Sequence, residues 1–203
     1  FYEVFKPSTV FKEKLEKALS LAKKGDLSGF DYIGDFENDF AIVSLNDKFN
    51  FVDTNCKLLS KRWFDEIENF DRNGFAQVIL NNKLNLIDTN GKLVYQQWFD
   101  WIDNFNEDGI AAVRLNDKWN LIDINGNFLS KQWFDYISSL KNGFAQVLLN
   151  MKYNFIDVNG NLLSKQWFDY ISDFVNGIAR VMLNNKYNFI DVNGNLLSKQ
   201  WFD

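Results

Sequence analysis

The dipeptide Phe-Asp returns at Phe30, Phe64, Phe99, Phe134 and Phe168, and opens once more at Phe202. The interval is 34 or 35 residues throughout, and the last two units, 134–167 and 168–201, differ at only seven of 34 positions. No other property limits the fold as strongly. A tandem array buries each unit's apolar face on the next, so stability and binding surface accumulate along the chain, and a single catalytic cleft is the exception. The chain therefore divides into residues 1–29, which do not repeat, and an array over 30–203. Its units are 30–63, 64–98, 99–133, 134–167 and 168–201, with the start of a sixth at 202.

Within a unit the first signal is an alternation. Ala145, Val147 and Leu149 share one face of Phe144–Leu149, and every unit keeps Ala-x-Val-x-Leu there while the residues between them vary. That pattern predicts a half-buried strand with a fixed inner face and a free outer one. Two residues follow before a Lys: Asn46-Asp47, Asn81-Asn82, Asn116-Asp117, Asn150-Met151 and Asn184-Asn185. A two-residue type I′ turn needs positive φ at both positions, which Asn and Asp tolerate. Met151 is the misfit, at a cost of about 1 kcal/mol. A second strand follows, Lys152–Asp157 in the fourth unit. Asp-x-Asn-Gly then marks a second turn at Asp88, Asp123, Asp157 and Asp191, in which Asp accepts from the backbone and Gly supplies a left-handed residue. Cys56 stands in place of that Gly in the first unit, making its turn the strained one. A third strand is expected through Leu-Leu-Ser-Lys-Gln-Trp-Phe-Asp-x-Ile.

Each unit thus reads as a three-stranded antiparallel meander, too small to be stable alone. The expected fold is all-β, with meanders stacked as an open solenoid-like array; a closed propeller-like ring is the alternative. The combination Gly-[Phe/Ile]-Ala-x-Val, Asn-x-Lys-aromatic-Asn-[Phe/Leu]-Ile-Asp, Asn-Gly and Phe-Asp-x-Ile resembles the bacterial WG (KWG) repeat over residues 30–203. In that family the second strand typically reads Lys-Trp-Gly-[Tyr/Phe]-Ile-Asp. Here Asn50, Asn85, Asn120, Asn154 and Asn188 take the place of the Gly, and only Trp119 keeps the Trp. Asn tolerates unusual backbone angles, so the same conformation is expected. The resemblance implies an interaction module and supplies no catalytic residues.

Before the array, Ser8-Thr9 after Pro7 offers a helix N-cap, and Phe11, Leu15, Ala18, Leu19 and Ala22 make one apolar stripe. Lys23, Lys24 and Gly25 suit a C-terminal end, so a helix is expected over 9–24. It serves either as a cap on the first repeat or as the tail of an upstream domain. Because the sequence starts at Phe1 and stops two residues into a unit, it reads as a segment of something longer.

Composition narrows the function classes. Net charge is −5 and Lys is dispersed, which argues against a nucleic-acid partner. No run of 18 apolar residues encodes a membrane span, and no signal-peptide pattern is present. The single Cys56 excludes an internal disulfide and favours a reducing compartment such as the cytoplasm. There is no His, and nothing in the sequence activates Cys56, so neither catalytic nor metal nor cofactor residues are assigned. Asp157, Asn159 and Asn161 have the oxygen spacing that opens a calcium loop, but Phe168 stands where the bidentate Glu would be, so a turn is expected. The repeated Asp residues read as structural acceptors. Trp63, Trp98, Trp133, Trp167 and Trp201 read as a core ladder, one per unit.

The function expected is a non-enzymatic repeat scaffold for protein–protein interaction. Contacts would lie on the variable outer face at Gln77, Ile79, Arg114, Gln146, Leu148, Arg180 and Met182. Glycan binding through exposed aromatics at Trp101, Tyr136 and Tyr170 is the second reading, and a purely structural spacer the third.

Overall fold

A computed structural model describes residues 8–22 and 26–203. Pro7 and the Lys23-Lys24-Gly25 helix end lie outside the described residues. One helix, α1 (Thr9–Ala22), precedes five three-stranded antiparallel sheets. The first is β1 (Tyr32–Glu37), β2 (Phe40–Leu45) and β3 (Lys48–Asp53). The second is β4 (Glu66–Ile67), β5 (Phe75–Leu80) and β6 (Lys83–Asp88). The third is β7 (Trp101–Ile102), β8 (Ile110–Leu115) and β9 (Lys118–Asp123). The fourth is β10 (Tyr136–Ile137), β11 (Phe144–Leu149) and β12 (Lys152–Asp157), and the fifth β13 (Tyr170–Ile171), β14 (Ile178–Leu183) and β15 (Lys186–Asp191). The fold class is all-β, a solenoid-like repeat. The sheets fall into two compact bodies, residues 1–98 with α1 and two sheets, and residues 99–203 with three.

The long hairpins form as expected. Both residues of each two-residue turn are left-handed, for example Asn150 and Met151 at φ 49° and 61°, and Asn184 and Asn185 at 52° and 60°. The turn fixes the register, pairing Ala145 with Ile156 and Val147 with Asn154. Directly opposed residues share a face, so Ala145, Val147 and Ile156 form one apolar surface.

The other surface is not free, contrary to the reading of an open outer face. Ile110, Ala112, Trp119 and Leu121 of the third sheet pack against Ala145, Val147 and Ile156 of the fourth. Phe144, Tyr153 and Phe155 of the fourth meet Ala179, Val181 and Ile190 of the fifth. In the other body, Phe40, Ile42 and Phe51 of the first sheet meet Ala76, Val78 and Ile87 of the second. Ile42 and Ala112, each between the fixed Ala and Val of its strand, pack against the sheet that comes next, so this position serves packing with a loose size requirement.

The third strand also differs from expectation. In the second to fifth sheets it shrinks to the two residues after Phe-Asp, and it pairs with the long strand that follows it. Within Leu-Leu-Ser-Lys-Gln the Ser hydroxyl turns the chain: Ser164 Oγ accepts from Gln166 N at 3.0 Å. The buried Asn154 then takes the carbonyls that a ladder would need. Its Nδ2 donates to Ser164 O at 2.7 Å and Gln166 O at 3.3 Å, while its Oδ1 accepts from Phe155 N at 2.8 Å. Asn50, Asn85, Asn120, Asn154 and Asn188 are all fully buried, and none has positive φ. The Asn that replaces the family's Gly is therefore present for its amide, not for an unusual backbone angle.

Helix α1 opens on Ser8, whose Oγ accepts from Phe11 N at 3.2 Å. Its Phe11, Ala18 and Ala22 are buried against Ala41, Val43, Leu45 and Val52, the face that later sheets give to their predecessor.

Candidate functional site

The repeated Phe-Asp is where the chain passes from one sheet to the next. Phe168 exchanges two backbone hydrogen bonds with Tyr153 of the fourth sheet, at 2.9 and 2.8 Å, and Asp169 N then donates to Met182 O of the fifth. The Phe168 ring is fully buried in the core between them. The Asp169 carboxylate joins both sides: it accepts from Asn184 N at 2.7 Å in its own sheet and pairs with Lys152 of the sheet before. Asp135 does the same with Asn150 N and Lys118, and Asp65 with Asn81 N and Lys48. In the first repeat Lys14 of α1 takes the place of the missing Lys, 3.9 Å from Asp31.

The bond from Lys118, and then the Asn150 N–H, hold the Asp135 carboxyl below the usual carboxylate range; Lys152 and Asn184 do so for Asp169. At Asp65 burial pushes the other way, and the bonds from Lys48 and Asn81 outweigh it. The Asp that ends each second strand has another task. Asp157 Oδ1 accepts from Asn159 N and Asn161 N at 2.9 and 2.7 Å, and Oδ2 accepts from Asn161 Nδ2 at 3.2 Å. That is an Asx turn using the oxygens a calcium loop would offer to metal. Among the described residues, no group of three or more His, Cys, Asp or Glu is placed to hold a metal ion.

The phased Trp residues are inward-facing packing groups. Trp63 and Trp98 are buried; Trp133, Trp167 and Trp201 are half-buried. Trp98, Trp167 and Trp201 each lie 6.5 Å from the Phe that opens the same repeat.

The candidate contact residues separate into two groups. Gln77, Ile79, Arg114, Gln146, Leu148 and Met182 are half-buried, and only Arg180 of that set is exposed. Among the described residues no sheet lies beyond the fifth, and Arg180 is open on its outer face; Phe189 opposite it is 44% exposed, whereas its counterpart Phe155 is 2% exposed. By contrast, Trp101, Tyr136 and Tyr170 are 49%, 49% and 39% exposed. They occupy the same position in three consecutive repeats, the first residue of the short edge strand. Each neighbours the strand residue opposite it, Arg114, Leu148 and Met182 respectively. Arg114 stacks over Trp119 at 5.7 Å, and Arg180 lies over Tyr170 and Tyr187 at 5.6 and 5.1 Å. The sequence reading missed Tyr32, exposed at the same edge position of the first sheet. Alignment of the five Phe-Asp dipeptides places it there.

A repeated small β-sheet unit, joined to its neighbour by a buried Phe and a shared carboxylate, defines a class of tandem β-repeat proteins. Its sequence matches the family model for the WG-containing repeat at residues 29–49, 51–83, 86–119, 121–153 and 155–187, and the chain belongs to that family. Among curated proteins none matches significantly. Solved structures with partial likeness include Kluyveromyces lactis Hsv2p (12% identity, TM-score 0.37, covering 83% of this chain and 63% of that one). A Bacteroides caccae protein of unknown function has 12% identity and a TM-score of 0.27 over 84% and 80% of the two chains. The Neurospora crassa Pan2 WD40 domain has 10% identity and a TM-score of 0.30 over 85% and 66%. The chain thus spans less than two thirds of the Hsv2p length.

Proposed function

We propose that this chain is a non-enzymatic scaffold that grips a protein partner along the aromatic edge of residues 99–203. The observation that carries the reading is the exposure of Trp101, Tyr136 and Tyr170 at one repeated position. Large aromatics are common anchors at protein interfaces, because they cover much area with few torsions to fix. Arg180, stacked on Tyr170, extends the surface. A non-enzymatic role suits the repeated carboxylates, which already bind Lys and backbone N–H groups. No helix among the described residues is long and apolar enough to cross a membrane.

The test is in-cell cross-linking of the tagged chain in its source organism, compared with a Trp101→Ala, Tyr136→Ala, Tyr170→Ala variant of unchanged circular dichroism and unfolding midpoint. A stoichiometric partner captured by the unaltered chain is expected to be lost from the variant. Equal capture by both would overturn the edge, and the absence of any stoichiometric partner would overturn the scaffold.

A further inference from the structure

The repeats 134–167 and 168–201 share all but seven of 34 positions, so their differences show where common architecture does not dictate the residue. Five of those seven position pairs converge on one place. A cavity of about 310 Å³ lies where the fourth and fifth sheets meet. Ser139, Lys141, Phe144 and Gln146 line it from the fourth repeat, and Asp173 and Phe174 from the fifth, all at differing positions. The invariant Phe155 and the half-exposed Tyr136 complete its aromatic walls.

Three of the differing residues interlock across the junction. Gln146 Nε2 donates to Asp173 Oδ1 at 2.6 Å, and Lys141 Nζ pairs with Asp173 Oδ2 at 3.3 Å. The cation and the anion offset each other, so the cavity offers no uncompensated charge to an ionic ligand. Gln146 retains its carbonyl oxygen, Lys141 has further N–H donors, and the half-exposed Tyr136 has a hydroxyl and an aromatic ring. Donors and acceptors around aromatic surface match a sugar ring, which presents hydroxyls at its rim and C–H groups on its face. The volume is at the lower end of small-molecule sites, roughly 300–1,000 Å³, which limits the occupant to one ring. The corresponding junction between the first two sheets is built otherwise. Ile42 stands at the Gln146 position, and Asn38 Nδ2 donates to Phe70 O at 3.3 Å.

We propose that this cavity binds a single neutral pyranose, either free or as the terminal ring of a glycan. The test titrates the intact chain with methyl glucoside, methyl galactoside, N-acetylglucosamine and the corresponding disaccharides, read by saturation-transfer NMR. At least one should bind saturably, with transfer strongest at ring C–H protons. The variant Lys141→Val, Gln146→Arg carries residues that the fifth repeat already holds at these positions, so the fold accommodates them, and affinity should fall at least tenfold. Tyr136→Ala, at an exposed edge position, should give a loss of similar size. Met151→Asn, at a differing position away from the cavity, should leave binding unchanged. Equal affinity for mono- and disaccharide assigns a free sugar, and tighter disaccharide binding a glycan end. Saturable binding by none of these sugars, or undiminished binding in the folded double variant, overturns the site. Because the titration contains no protein partner, its failure leaves the scaffold reading untouched.

Discussion

Single residues carry more of this fold than their small size suggests. Gly160, at φ 79°, faces the preceding repeat so closely that a Cβ would lie 1.9 Å from Leu129 O, whereas Gly143, at φ 83°, has nothing within 4 Å of that position. Gly143→Ala should therefore cost only the left-handed backbone penalty, about 1–2 kcal/mol. Gly160→Ala must also displace a neighbouring backbone and should cost roughly 2–5 kcal/mol in urea unfolding. Equal costs would show that the contact between repeats is not formed. Cys56 can occupy the equivalent place, at φ 59°, because α1 rather than another repeat's carbonyl lies ahead of it, and it packs with Leu15 and Leu58 beside the first core. Asn154→Ala leaves Phe155 N and two carbonyls without their partner and should cost about 2–4 kcal/mol; Asn154→Asp, which keeps one acceptor and loses the donors, should not rescue it. The Gly and turn residues were legible in the sequence because positive φ restricts residue choice. The role of Asn154 was not, since an amide serving distant carbonyls and an amide tolerating odd angles look alike in one sequence.

At the level of strands and turns, patterning succeeded where a local rule applied. Every long hairpin and its register follow from alternation and a two-residue Asn-rich turn. Met151 is 86% exposed at φ 61°, so it contributes no packing to offset its strain. Met151→Asn should therefore stabilise by about 1 kcal/mol, seen as a higher urea midpoint with unchanged slope; no gain would mean that the turn relaxes without strain. The third strand failed because its apolar spacing resembles a strand while its Ser and the buried Asn divert the hydrogen bonds. The outer face was misread for a related reason. Variation along the sequence reports tolerance, and a sheet stacked on both sides is tolerant wherever its neighbour also varies. The same variation became informative only once the structure gathered five differing positions around one cavity. The exposed aromatic edge was legible at Trp101, which breaks the local pattern, and at Tyr136 and Tyr170 by alignment with it.

For the molecule as a whole, the recurrent Asp between sheets ties cohesion to pH. Asp65, Asp135 and Asp169 all have carboxyls held below their ordinary range in the folded state. In the unfolded chain Lys and the turn N–H are no longer placed beside them, so the unfolded state binds protons first as pH falls. Where the unfolded state carries more protons, stability rises with pH. The contribution of these groups is thus complete above the ordinary Asp range and is lost as pH drops through their lowered folded values. Urea midpoints should be flat near neutrality and decline below about pH 4, the region of unperturbed Asp. In a variant with Asp135→Asn and Asp169→Asn, two titrating groups are removed along with their bonds to Lys118 and Lys152. That variant should be less stable at neutral pH, and its deficit should shrink as the unaltered chain is acidified. Added salt should narrow the same gap only in part, because the Asn150 and Asn184 N–H bonds are local and poorly screened. Parallel pH profiles for the two proteins would show that these carboxylates are bystanders, and that apolar stacking alone joins one sheet to the next.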